Sequence, residues 1–115
     1  MTFTPLPGLL AIARLGAGDA VPSWATGAFV SITRTAGELS IVCDESGVPP
    51  GVRADRGWRA LELRGPLPLT AVGVAAKFTA ALAAAGISVL VIGTFDTDIL
   101  LVKAERFDEA LAVLQ

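Results

Sequence analysis

One segment, residues 86–103, constrains the fold because two apolar runs flank a short polar turn. Residues 87–92 and 99–102 are rich in β-branched and aliphatic side chains, which predicts two strands. Residues 94–98 between them carry hydroxyls and two carboxylates, which predicts a tight connection. Gly86, directly before the first run, is a natural residue to end a preceding helix. The segment therefore predicts a helix end, a strand, a polar turn and a second strand.

The residues on either side of this segment predict a further strand and two helices. Residues 58–63 alternate between the two faces of a half-buried strand. Residues 69–85 place Val74, Phe78 and Leu82 at i, i+4 and i+8, and the many alanines in this stretch favour a helix. A last helix is predicted from four apolar residues at helical spacing: Phe107, Ala110, Leu111 and Leu114.

The first half of the chain repeats this outline with a reduced helix. Residues 9–14, 29–33 and 39–43 predict three strands, with a hairpin connection at residues 35–37. Residues 22–25 predict a single helical turn. The two halves therefore predict an α+β fold of ferredoxin-like βαββαβ sandwiches, with antiparallel sheets and helices on one face.

The Pro- and Gly-rich stretch at residues 44–56 is the predicted boundary between two tandem units, residues 1–55 and 56–115. The sequence provides about six strands, fewer than two complete sheets require. We therefore expect a strand to be shared, exchanged between the halves or supplied by a second subunit. Exposed sheet edges follow from this shortage, and they predict a homodimer.

Composition excludes several classes of function. The 115 residues contain no histidine, the commonest general base and zinc ligand, so no catalytic residue, metal or cofactor is predicted. The net charge is −2 with interspersed signs, which does not predict binding to nucleic acid. The single cysteine, Cys43, allows no intrachain disulfide and predicts a buried thiol in a reducing cytoplasm.

The apolar stretch at residues 71–93 does not predict a membrane span. Lys77 interrupts it, and a central lysine costs roughly 2.5–3.5 kcal/mol on insertion scales. The stretch also changes at Gly86 from alanine-rich to β-branched, as expected for a helix followed by a strand. The N-terminal residues lack the features of a signal peptide.

Several segments resemble small bacterial proteins with tandem ACT-like domains, members of a family of amino-acid-binding regulatory modules. The more specific motifs are Arg56-Gly57-Trp58-Arg59 and Thr94-Phe95-Asp96-Thr97-Asp98, and the order and spacing match throughout. The other matching segments are residues 29–35, 38–43, 86–88 and 99–103.

The resemblance implies a site for an amino acid or similar small zwitterion between two ACT-like units. Gly86 and Ile87 would offer backbone groups. Thr94, Phe95, Asp96 and Asp98 would contribute from the turn, and Ser31 and Ile32 from the facing half. The eukaryotic arginine sensors of this family carry an acidic residue where this chain has Ala84. The resemblance therefore does not predict arginine as the ligand.

The same residues also have structural explanations. Asp96 and Asp98 around Thr97 favour a β-turn, because aspartate and threonine side chains bond to their own backbone. Gly86 can end a helix whether or not it contacts a ligand.

Three functions stay open. The first is a non-catalytic amino-acid-binding regulator, a homodimer that acts on an unknown effector protein. The second is an interaction or dimerisation subunit without a ligand. The third, with the least support, is a small enzyme that uses Asp96 and Asp98 as acid and base.

Overall fold

The computed structural model describes Met1–Gln115 and divides into two compact units. The N-terminal unit is Pro7–Trp58, and the C-terminal unit combines Met1–Leu6 with Arg59–Gln115. In chain order the elements are β1 (Phe3–Pro5), β2 (Leu10–Leu15), β3 (Ser31–Arg34), β4 (Leu39–Asp44), β5 (Ala54–Leu63), α1 (Val74–Ala84), β6 (Leu90–Gly93), β7 (Asp98–Lys103) and α2 (Phe107–Leu114), with single 3₁₀ turns at Glu45–Gly47 and Ala104–Arg106.

The C-terminal unit is a four-stranded sheet with two helices. Its strands lie in the order β1, β5, β7, β6. Strands β6 and β7 form an antiparallel hairpin in which Gly93 lies opposite Asp98. One core joins both helices to the same face of the sheet. Its fully or nearly fully buried members are Phe3, Leu61, Leu63, Phe78, Leu82, Ile87, Leu100, Val102, Phe107 and Ala110. The predicted α+β, ferredoxin-like class is therefore confirmed for an antiparallel sheet with helices on one face.

The fourth strand of this unit comes from the N-terminus of the chain. Residues Phe3, Thr4 and Pro5 pair antiparallel with Leu63, Glu62 and Leu61. Phe3 anchors the strand, since its ring is 2% exposed and meets the Phe78 ring edge-on at 5.8 Å. The strand that the sequence analysis found missing is thus supplied by the same chain.

The N-terminal unit is a sheet in the order β3, β4, β2 and the first half of β5. Strands β2 and β4 pair along their whole length, from Leu10 opposite Asp44 to Leu15 opposite Leu39. Its core contains Ala11, Leu39, Ile41, Cys43 and Val48. The predicted burial of Cys43 is confirmed, because its side chain is 0% exposed.

Strand β5 is longer than the sequence predicts. It begins at Ala54 rather than Trp58, because Ala54 and Asp55 pair with β2 despite the low strand propensity of Asp55. Gly57 has a φ of +80°, which suits glycine, and its N–H donates to the Glu45 carboxylate at 2.7 Å. The pairing of β2 with β5 shifts register at the same place. The Glu45 side chain therefore stabilises this irregularity, and the alternation of residues along the strand does not predict that contact.

Helix α1 begins at Val74, not at Leu69. Gly73 directly before it has a φ of +78°, outside the helical region, and the preceding residues form a turn in which the Ala71 N–H donates to the Pro68 carbonyl at 3.0 Å. The predicted helical turn at residues 22–25 is likewise a simple turn. No helix in the molecule has the length and hydropathy to span a membrane.

The end of α1 is confirmed at Gly86, whose φ is +70°. The Gly86 N–H donates to the Ala83 carbonyl at 3.0 Å, and the Ile87 N–H donates to the Leu82 carbonyl at 2.9 Å. These two bonds form the Schellman motif. Because Ile87 completes this cap and packs in the core, β6 begins at Leu90 rather than at Ile87.

Candidate functional site

The turn between β6 and β7 is closed by a threonine. The Thr94 N–H donates to the Thr97 carbonyl at 2.8 Å. The Thr94 hydroxyl donates to the same carbonyl at 3.0 Å and accepts from the Thr97 N–H at 3.1 Å. These bonds involve neither the Asp96 nor the Asp98 carboxylate, so the turn does not depend on aspartate side-chain bonds.

The turn is braced against the segment that follows β5. The Leu67 N–H donates to the Asp96 carbonyl at 2.7 Å, and the Thr97 hydroxyl donates to the Leu63 carbonyl at 2.5 Å. Gly65 permits this approach, because a Cβ there would lie 2.8 Å from the Asp96 carbonyl oxygen. One backbone bond and one bond from the Thr97 hydroxyl therefore fix the turn relative to residues 63–67.

A groove of about 340 Å³ opens beside this brace. Its walls are the segment before α1, the first turn of α1 and the β6–β7 turn. Its lining residues are Leu67, Pro68, Leu69, Ala71, Gly73, Val74, Ala75, Ala76, Thr94, Phe95, Thr97 and Asp98. Asp98 is the one ionisable residue among them. The groove therefore combines an apolar wall with a single negative charge.

The first turn of α1 adds a partial positive charge to the same groove. Gly73 has no side chain to cap the helix, and no side-chain cap bond is present. The N–H groups of Val74, Ala75 and Ala76, all in groove-lining residues, therefore lack acceptors within the helix. Such a helix start attracts anions through these donors and through the helix dipole.

Three of the residues predicted from the β6–β7 turn, Thr94, Phe95 and Asp98, line this groove. Asp96 lines an adjoining shallow cavity of about 390 Å³ together with Phe95 and the two prolines before α1. Phe95 is 81% exposed, so its ring has most of its surface available for contact. The turn thus presents its side chains on two neighbouring surfaces.

Gly86 and Ile87 lie at the other end of α1 and do not line the groove. Their N–H groups are used by the helix cap, and the Gly86 carbonyl accepts from the Arg106 guanidinium at 3.3 Å. Arg106 also holds Glu109 at 2.8 Å. A ligand role for Gly86 and Ile87 stays a prediction.

Ser31 and Ile32 belong to strand β3 of the N-terminal unit. Ser31 lies opposite Val42 and Ile32 opposite Ile41, so their side chains point to different faces of that sheet. Ser31 is half-buried and Ile32 is exposed. Their ligand roles also stay predictions.

Sequence reasoning missed the wall formed by residues 67–76. Pattern analysis extended the helix to Leu69 and so placed these residues within it. Pro68 and Gly73 are the available signals, since both residue types favour turns and are disfavoured inside a helix. The geometry offers no group of three or more cysteine, aspartate or glutamate side chains placed to hold a metal ion.

An antiparallel sheet with two helices on one face is the architecture of a class of small regulatory, ligand-binding domains. The chain belongs to the ACT domain family, whose model matches residues 53–115. The resemblance to ACT-domain proteins is therefore confirmed, while the tandem arrangement and the relation to the arginine sensors stay predictions. A second family model, which describes an N-terminal domain, matches residues 8–51. Domains of the ACT class are typically non-catalytic.

Solved structures support the fold over almost the whole chain. Protein Atu0741 from Agobacterium tumefaciens is 41% identical, with a TM-score of 0.90 over 97% of this chain and 84% of that one. VC0802 from Vibrio cholerae, a protein of unknown function and possible transport protein, is 23% identical, with a TM-score of 0.82 over 98% and 86%. The regulatory subunit of aspartate kinase from Thermus thermophilus is 13% identical, with a TM-score of 0.66 over 99% and 95%. No curated protein matches the chain.

Proposed function

We propose that this chain is a non-catalytic regulatory protein that binds an amino acid in the groove beside the β6–β7 turn. The observation that carries the proposal is the pairing, in one groove, of the Asp98 carboxylate with the uncapped start of α1. An amino acid carries one positive and one negative group on the same carbon. A short groove with one acceptor and one set of donors matches that charge pattern.

In this proposal the first turn of α1 receives the α-carboxylate through the N–H groups of Val74, Ala75 and Ala76. Asp98 accepts the α-ammonium group, and the charge-assisted bonds on both sides are of the stronger kind. The groove volume of about 340 Å³ lies near the lower end of the range for small-molecule sites, as suits a ligand of this size.

We further propose that the N-terminal unit is also ACT-like, so that the chain is a tandem pair. Each unit has four strands, in the orders β3-β4-β2-β5 and β6-β7-β5-β1, and in each the outer strand, β3 or β6, pairs antiparallel with the next strand along the chain. The chain would act as a homodimer, and ligand binding would change its interaction with an effector protein whose identity is open.

A thermal-shift screen of the purified chain against the twenty amino acids tests the proposal. A ligand at a hundredfold excess over Kd stabilises the folded state by about 2.7 kcal/mol. For a domain of this size such a gain raises Tm by several degrees. A rise in Tm with one amino acid supports the proposed ligand binding, and no rise with any of the twenty on folded protein contradicts it.

Exposed apolar residues around the groove favour a second candidate, an interaction subunit without a ligand. Leu69 is 71% exposed, Val72 96% and Phe95 81%, and exposed apolar groups in one area often mark a protein interface. This candidate predicts a flat ligand screen together with an oligomer that Val72→Asp dissociates in analytical ultracentrifugation.

A further inference from the structure

Part of the groove lining is an apolar wall built from uncharged side chains. Leu67, Leu69, Val74 and Phe95 provide its larger apolar surfaces, and Ala71 with Ala75 provides its smaller ones. Leu69 and Phe95 are 71% and 81% exposed, so they have apolar area that a ligand can remove from water. Any ligand seated on this wall meets hydrocarbon rather than polar groups.

In the proposed function, the charged groups of the groove bind the α-carboxylate and α-ammonium groups of the amino acid, so none is left for a charged ligand side chain. Asp98 is the one ionisable residue that lines the groove, and in the proposed function it accepts the α-ammonium group. No basic side chain lines the groove to neutralise an acidic ligand side chain, and no second carboxylate lines it to neutralise a basic one. A charged ligand side chain placed here would lose water without gaining an oppositely charged partner, which is costly.

We propose that the groove selects amino acids with uncharged aliphatic side chains, of the size of valine, leucine or methionine. This inference rests on the proposed function and adds the class of ligand to it. The apolar wall supplies the affinity for the side chain, and the absence of a second charge supplies the discrimination against lysine, arginine, aspartate and glutamate.

A neighbouring cavity of about 270 Å³ suggests the main alternative, selection of an acidic amino acid. It shares Leu67, Gly73 and Val74 with the groove, and it also contains Arg64 and Lys77. An acidic amino acid could place its side-chain carboxylate there. Arg64 and Lys77 are both exposed, so either cation can be neutralised by substitution without leaving a buried charge unpaired.

Isothermal titration of the full chain with L-leucine, L-valine, L-methionine, L-lysine and L-glutamate tests the inference. We expect the tightest of the three aliphatic ligands to bind at least tenfold more tightly than lysine or glutamate. We also expect Arg64→Gln and Lys77→Gln to leave leucine affinity unchanged. Tighter binding of glutamate that either substitution abolishes would overturn the inference while leaving the proposed function intact. Binding of none of the five would overturn the inference, and a flat screen against all twenty amino acids would overturn the proposed function as well.

A substitution in the apolar wall provides an independent test. Leu69→Asp puts a carboxylate on the exposed wall, and Leu69→Met is the matched control because it keeps an uncharged side chain. We expect Leu69→Asp to weaken leucine binding at least tenfold and to narrow or reverse the preference over lysine, while Leu69→Met changes affinity less than threefold. An unchanged preference for leucine in folded Leu69→Asp protein would overturn the assignment of this wall to the ligand side chain.

Discussion

The main-chain N–H of Leu67 donates a 2.7 Å hydrogen bond to the carbonyl of Asp96. This bond joins the segment before α1 to the β6–β7 turn, and both line the groove. Because it involves backbone groups on each side, the distance between the two walls does not depend on any mobile side chain. The groove is therefore a preorganised feature of the C-terminal unit, which reduces the ordering that a ligand must induce.

Gly65→Ala should disturb this brace. The added Cβ would lie 2.8 Å from the Asp96 carbonyl oxygen and 3.2 Å from the Thr97 Cβ, so backbone must move to admit it. We expect a loss of about 1–3 kcal/mol in the free energy of unfolding, the range for overpacked sites, and weaker ligand binding.

Urea denaturation of Gly65→Ala beside Gly51→Ala measures this effect. A Cβ at Gly51 meets no atom within 4 Å, so that control should stay within about 0.5 kcal/mol of the parent chain. Equal stabilities for the two variants would show that the turn is not held in the way described.

Gly86→Ala should destabilise the cap of α1 without changing ligand affinity. A Cβ at Gly86 meets no atom within 4 Å, but the φ of +70° is unfavourable for alanine. We expect a loss of about 1–2 kcal/mol in the free energy of unfolding, the cost of the left-handed region.

Ligand affinity should not change in this variant, because Gly86 lies outside the groove. Titration with the ligand found in the screen checks this expectation. A tenfold loss of affinity in folded Gly86→Ala protein would instead favour the backbone role that the family resemblance implies for Gly86.

The β6–β7 hairpin and the cap at Gly86 could be predicted because their signals are local. Two apolar runs, a polar turn and a glycine at the end of an alanine-rich helix are each read within a few residues. The family resemblance likewise directed attention to Thr94, Phe95 and Asp98, which line the groove.

Strand β1, the beginning of β5 and the position of Leu67 could not be predicted, because they depend on contacts between residues distant in sequence. Strand β1 has three residues, includes a proline and is fixed mainly by burial of Phe3. The beginning of β5 is set by pairing with β2, and the position of Leu67 by its bond to Asp96. None of these contacts has a periodic signature in the chain.

The stability of the N-terminal unit should decrease at alkaline pH because of Cys43. Burial, and secondly the charge of Asp44, raises the pKa of this thiol. A thiol whose pKa is higher in the folded state stabilises that state fully below the ordinary thiol pKa of about 8.5, and the stabilisation is lost as pH rises through the folded-state value.

Urea titrations between pH 7 and pH 10.5 test this expectation, with Cys43→Ala as the control. Only the slope with pH is compared, since the alanine variant also loses packing and has a lower stability at every pH. The free energy of unfolding should fall more steeply above about pH 8.5 in the parent chain than in Cys43→Ala. Parallel curves for the two proteins would contradict the raised pKa.

We propose that the Asp98 carboxylate, beside the open start of α1, holds the ammonium group of an amino acid. Titration of the parent chain, Asp98→Asn and Asp96→Asn with the amino acid found in the screen tests it most directly. Asp96 is a matched control because it lies two residues away in the same turn and lines the adjoining cavity. We expect at least a tenfold loss of affinity in Asp98→Asn and less than a threefold change in Asp96→Asn. Equal affinity of the parent chain and a folded Asp98→Asn variant would contradict it.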